Sequence, residues 1–146
     1  MKTNFLKKIF CSLALAATVL TANAADRLLI VGDAVWGGWT IDNSIVMFNS
    51  TENPDVFKAT VNLKANSDFK FLTEADWGKL EYRAGDSNVT LTEGEAATLV
   101  STDENSNDNK FQVAETANYD IVCDLTAKTI DRKSTRLNSS HTVRSR

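Results

Sequence analysis

The chain has 146 residues, with 16 Lys and Arg against 19 Asp and Glu, two Cys, one Pro and one His. This length suits a single domain. A formal net charge of −3 with no internal basic stripe excludes a phosphate-neutralising nucleic-acid surface.

Residues 1–24 read as a signal peptide. Lys2, Lys7 and Lys8 form a positive n-region, "IFCSLALAATVL" is an apolar stretch too short to span a membrane comfortably, and Ala22-Asn23-Ala24 is a small-x-small cleavage pattern. Cleavage before Ala25 is expected. Phe10 is too bulky to precede a lipidation cysteine at Cys11, so an ordinary exported protein is expected rather than a lipoprotein.

Residues 25–130 hold eight Lys and Arg against eighteen Asp and Glu, a net charge near −10. "RLLIVG" is an apolar run ended by Gly32. It enters "VGDAVWGGWTID", a glycine-rich turn carrying Trp36 and Trp39. Trp39, followed by "TID", is the better candidate to anchor the turn in the core, which leaves Trp36 as the ring free to face a ligand. "DVFKATVNL" alternates, placing Phe57, Ala59, Val61 and Leu63 on one face. "DFKFL" directs Phe69 and Phe71 inward and Lys70 to the solvent side. A second turn, "TEADWGKLEYR", carries Trp77 with Lys79, Tyr82 and Arg83.

"AATLV", "KFQVA", "YDIVCDLTA" and "KTI" complete the apolar runs, and "NSTENPD", "KANSD", "EGEA", "STDENSNDN" and "ETAN" between them have turn compositions. No stretch sustains a 3.6-residue period. Short strands at about 8–12-residue spacing predict an all-β fold, an immunoglobulin-like β-sandwich. Cys123, in the alternating "YDIVCDLTA", is expected to be a small core residue, with no internal disulfide.

The C-terminus changes character. "DRKSTRLNSSH", residues 131–141, has no apolar period and reverses the local charge; it also reads as the in-frame translation of a common sequencing-adapter oligonucleotide. Residues 131–146 are therefore expected to be an artefactual, disordered tail. The domain is then expected to end at Ile130 with its last strand cut short and the gene to continue beyond it.

The one histidine, His141, falls in that tail, leaving residues 25–130 without a histidine triad or a histidine metal site. "DENSNDN" is rich in oxygen ligands but lacks EF-hand spacing, so a solvated loop is expected. Gly32, Gly37 and Gly38 follow a strand, but no helix pattern follows them, so they do not form a phosphate loop. No cofactor is expected. What remains is a set of aromatic rings beside hydrogen-bond donors. That chemistry suits sugars, because an apolar C–H face stacks on an indole while hydroxyls pair with neighbouring polar groups.

The ordered frame "LLIVGDAVWGGWTID", "NPDVFKATVNLKANSDFKFL", a tryptophan, and "DNKFQVAETANYDIVCDLTAKTI" resembles the starch-binding domains of SusE and SusF, surface starch-utilisation proteins of Bacteroides-type bacteria. The resemblance implies an immunoglobulin-like sandwich that binds α-glucan through an aromatic platform and polar partners, without catalysis. It implies a mainly structural role for Trp39, the basic strand position for Lys70, and the platform aromatic for Trp77. It makes Trp36 a candidate second ring, and matches Asn109 to the polar position of "DNKF". With Tyr82 and Arg83, these give the candidate binding set Trp77, Lys70, Trp36, Tyr82, Arg83 and Asn109. The expected partner is an α-glucan polysaccharide or oligosaccharide, with other starch-utilisation surface proteins as further partners, and the expected location is the periplasm or cell surface. Unlike SusE and SusF, this chain has no usable lipidation cysteine and shows one domain rather than several in tandem. Two alternatives stay open: a ligand-free spacer domain, and an accessory domain of a longer amylase-type hydrolase.

Overall fold

Apolar runs broken by Gly, Asn and Asp turns give ten strands and one 3-10 turn, Ile41–Asn43, in the computed structural model, which describes residues 25–135. The strands are β1 Arg27–Val31, β2 Ile45–Asn49, β3 Val56–Leu63, β4 Lys70–Leu72, β5 Glu81–Ala84, β6 Val89–Leu91, β7 Ala97–Ser101, β8 Phe111–Val113, β9 Ala117–Asp124 and β10 Thr129–Ser134. Eight of them close into an antiparallel barrel in the order β1-β2-β3-β9-β10-β7-β5-β4. β6 and β8 form a separate parallel pair. The β3–β9 ladder is the longest, running from Val56↔Asp124 to Leu63↔Ala117. Three ladders of the ring are only two residue pairs long, β2–β3, β10–β7 and β4–β5.

The all-β expectation holds, and so does the alternation of the two strands that showed it best. Phe57, Val61 and Leu63 of β3 are buried, with Lys58, Thr60 and Asn62 exposed between them. Phe69 and Phe71 point into the barrel and meet Phe111, with ring centroids 5.8–6.0 Å apart. Each such ring contributes about 1.5–3 kcal/mol through burial. Cys123 is fully buried in this core, and burial pushes its thiol well above the ordinary value.

Three strands lay hidden in the sequence. β2, "IVMFN", lacks alternation, and β6 is only three residues long. β5, "EYRA", was read as the wall of a turn, because Glu81 and Arg83 resemble turn charges; they occupy the outer face of a strand.

The chain boundary also differs. Residues 131–134, expected outside the fold, continue β10 and pair with β9 from Asp131↔Val122 to Ser134↔Tyr119. Strand pairing uses backbone N–H and C=O groups that any non-proline residue supplies, and β9 offers a full row of them. Arg132 takes an inward position, with its guanidinium 4.9 Å from the Tyr119 ring centroid and its Nε donating to the Leu91 carbonyl at 2.9 Å. The expected signal peptide, residues 1–24, and residues 136–146 of the expected tail lie outside the described residues.

Candidate functional site

β1 is apolar on both faces. Leu28 and Ile30 face the main core, while Leu29 and Val31 face outward and join Leu72 of β4 in a second, smaller apolar cluster. Such outward residues need a cover, and Trp39, Ile41 and Val46 supply it. Trp39 is thus half-buried on the outside of the barrel rather than anchored in the main core, as had been expected for it. The turn before it is fixed by backbone bonds, Gly32 N–H to the Gly38 carbonyl at 2.9 Å and Gly38 N–H to the Val35 carbonyl at 3.0 Å. Gly32 (φ 141°) sits so close to the next loop that a Cβ there would lie 2.1 Å from the Asp68 carbonyl oxygen.

The register places Val31 opposite Lys70 on the same outer face, while Leu72 pairs with Glu81. Alternation along β5 then puts Glu81 and Arg83 outward and Tyr82 inward. Lys70 is only 7 % exposed and Arg83 8 %, so Lys70 is not the solvated strand residue expected, and Arg83 lies in a strand rather than in a turn. The Lys70 ammonium lies 2.6 Å from Glu81 Oε2 and 3.2 Å from Asp108 Oδ1. Arg83 Nη1 donates to the Asn107 carbonyl at 2.9 Å and to Asp108 Oδ1 at 3.2 Å, and its Nη2 is 3.7 Å from Glu81 Oε2. Lys110 Nζ approaches Asp108 Oδ2 at 2.9 Å. Burial pushes the Asp108 carboxyl upward, but hydrogen bonds from Lys110 and Lys70 outweigh it and hold the group below its ordinary value.

Two indoles flank these charges. Lys70 Nζ is 5.5 Å from the Trp77 ring centroid and 6.0 Å from that of Trp39, and Lys110 Nζ is 5.8 Å from the latter. Trp77 projects, 44 % exposed, from the β4–β5 loop. That loop is closed by Thr73 Oγ1 donating to the Leu80 carbonyl at 2.7 Å and turned by Gly78 at φ 84°.

Three cations therefore face two carboxylates between two rings. Removing charged side chains from water costs several kcal/mol each, and apolar residues of similar volume often serve stability as well or better. Arg83 Nε, buried, has no hydrogen-bond partner among the described residues. Lys70, with two acceptors for its three ammonium donors, keeps donor capacity beside two indoles.

The candidate set divides accordingly. Lys70, Trp77 and Arg83 come together. Tyr82 is turned the other way and packs against the main core; burial and, secondarily, Glu104 and Asp103 raise its phenol. Asn109 donates its side-chain amide to the Gly85 carbonyl and so ties the β7–β8 loop to the end of β5. Trp36 is 80 % exposed on the turn before Trp39 and makes no ring or cation contact among the described residues. Sequence reasoning missed Glu81, Asp108 and Lys110 and undervalued Trp39. The signal for Trp39 was the uninterrupted "RLLIV", whose outward Leu29 and Val31 required a lid. "DENSNDN" is a mostly exposed loop, but it also delivers Asp108 onto three cations and is held to Gly85 by Asn105 and Asn109. Among the described residues no cluster of His, Cys, Asp and Glu is arranged to hold a metal.

A family model for SusF/SusE starch-specific carbohydrate-binding modules matches residues 27–132, nearly the whole barrel. The chain belongs to the SusF/SusE family. Its function is starch binding by a carbohydrate-binding module, and the match takes in all the residues gathered around Lys70. Curated proteins and solved structures give no significant match. No helix among the described residues is long and apolar enough to cross a membrane.

Proposed function

We propose that the SusF/SusE module holds α-glucan on the outer face of β1, β4 and β5. Trp39 and Trp77 stack on sugar rings, Lys70 and Arg83 donate to hydroxyls, and Asp108 accepts from them. The observation that carries this reading is the Lys70 ammonium within 6.0 Å of both indole centroids. Each stacked ring hides roughly 60 Å² of apolar surface, worth about 1.5 kcal/mol. Two rings with a few hydrogen bonds give a Kd between about 10 μM and 1 mM. Such weak affinity works best when a polymer engages several modules at once.

The module acts without catalysis, in keeping with its family and with a chain whose only histidine is His141. We read the barrel as an immunoglobulin-like sandwich whose two sheets join at β2–β3 and β10–β7, a reading that the short ladders there support. The protein works outside the cytoplasm, at the cell surface or in the periplasm, beside other starch-utilisation proteins. A ligand-free spacer would leave two partly exposed indoles beside a buried charge cluster without a use. Affinity electrophoresis in starch gels tests the reading: the parent chain is retarded and Trp77→Ala runs as in a starch-free gel. Equal retardation of the two overturns it.

A further inference from the structure

Trp36 is the most exposed large apolar side chain among the described residues, yet the turn that carries it is closed and clamped by backbone bonds on both sides. It sits second in the turn Val35–Gly38, closed by the Gly38 N–H bond to the Val35 carbonyl at 3.0 Å. Its neighbours Ala34 and Val35 are buried. Ala34 is clamped on both sides, its N–H to the Asp68 carbonyl at 3.1 Å and its carbonyl to the Lys64 N–H at 2.9 Å. Gly37 packs so closely that a Cβ would lie 2.2 Å from the Asn43 carbonyl oxygen. The fold uses the backbone of residue 36 and leaves four fifths of its indole in water. Nothing in the packing of the barrel accounts for a tryptophan here, and a fixed, exposed aromatic is a pre-organised contact for a ligand.

Its place narrows the ligand. Trp36 and Trp39 belong to one turn, three residues apart, so their Cα atoms are at most about 11 Å from each other. The Trp39 ring lies over the outer-face cluster near Lys70, and Trp36 makes no contact with that group. We propose that Trp36 is a second glucan contact outside the Lys70 cluster, by which the module grips a long α-glucan chain or a granule surface more tightly than a short oligosaccharide. A chain held between Trp39 and Trp77 runs on past the turn and reaches Trp36, whereas a chain of two or three units ends before it. This rests on the Lys70 cluster being the glucan site.

The test compares Trp36→Ala, Trp36→Phe and Trp77→Ala with the parent chain, against maltotriose by calorimetry and against amylose and starch granules by depletion. Trp36→Ala should weaken amylose and granule binding about tenfold, the loss expected for one stacked ring. It should leave maltotriose affinity within about twofold, and Trp36→Phe should restore most of the polymer binding. Equal weakening toward both ligands, no weakening toward either, or a change confined to self-association in sedimentation overturns the proposal. Trp77→Ala keeps the two readings apart. If it leaves maltotriose binding intact, the Lys70 platform fails, whereas a Trp36→Ala result of equal affinities fails only the second contact.

Discussion

On the outer face of β1, β4 and β5, Lys70, Glu81 and Arg83 are buried and paired, and Lys70 lies between Trp39 and Trp77. On the outer face of β3, β9 and β10, Lys58, Thr60, Asp131 and Lys133 stand exposed along a groove of about 630 Å³, and Thr60 donates to Asp120 at 2.6 Å. The second face has a hollow. The first has charges held out of water beside rings. Volume alone does not make a sugar site, because a pyranose needs a flat apolar surface with polar groups at its edge, and the groove has no aromatic lining residue. The difference begins in the strands: β3 alternates with polar residues outward, whereas β1 is apolar on both faces and so recruits a cover.

The sharpest way to break this contrast is to remove Lys70. Lys70→Ala leaves Glu81 buried with Arg83 as its remaining cation, and about 3–5 kcal/mol of stability should be lost together with starch binding, as read by urea denaturation and gel retardation. A loss below about 1 kcal/mol would mean the cluster is as solvated as the groove. Trp77→Ala should separate binding from folding: affinity falls about tenfold or more while the urea midpoint stays put, since the ring is 44 % exposed and far from the main core. Acid should act next. The Asp108 carboxyl is depressed in the folded protein, so its contribution is complete above the ordinary carboxylate value near 4 and is lost as pH falls through its lower, folded-state value. Starch affinity measured from pH 7 down to about 3 should decline at the low end, and Asp108→Asn should flatten that decline. The smallest effect belongs to the other face. Asp120→Ala and Lys58→Ala should each change stability by about 0.5 kcal/mol or less and leave starch retardation unaltered.

The sequence made the strands with clean alternation legible. Phe57 to Leu63 and Phe69 to Phe71 face where the period of two puts them. It did not make β5 legible, because Glu81 and Arg83 look like turn charges until the β4–β5 register buries them against Lys70. Trp77 and Lys70 are legible in the sequence as an indole and a cation seven residues apart. Their meeting with Asp108 and Lys110 is not, since the "DENSNDN" loop is drawn to them by long-range bonds, those of Asn105 and Asn109 to the Gly85 carbonyl and that of Arg83 to the Asn107 carbonyl. Tyr82 was misplaced for the simplest reason: in a strand, the neighbour of an outward residue points inward.

The central claim is that glucan sits between Trp39 and Trp77 and not in the β3–β9–β10 groove. Its most direct test is a titration of the isotope-labelled protein with maltoheptaose, following the indole N–H signals of the three tryptophans and the backbone amides by nuclear magnetic resonance. The account predicts saturable shifts at the Trp39 and Trp77 indoles and at the amides around Lys70 and Asp108, with Thr60, Asp120 and Val122 unmoved. Shifts concentrated on Thr60, Asp120 and Val122, with the Trp39 and Trp77 indoles silent, would contradict it.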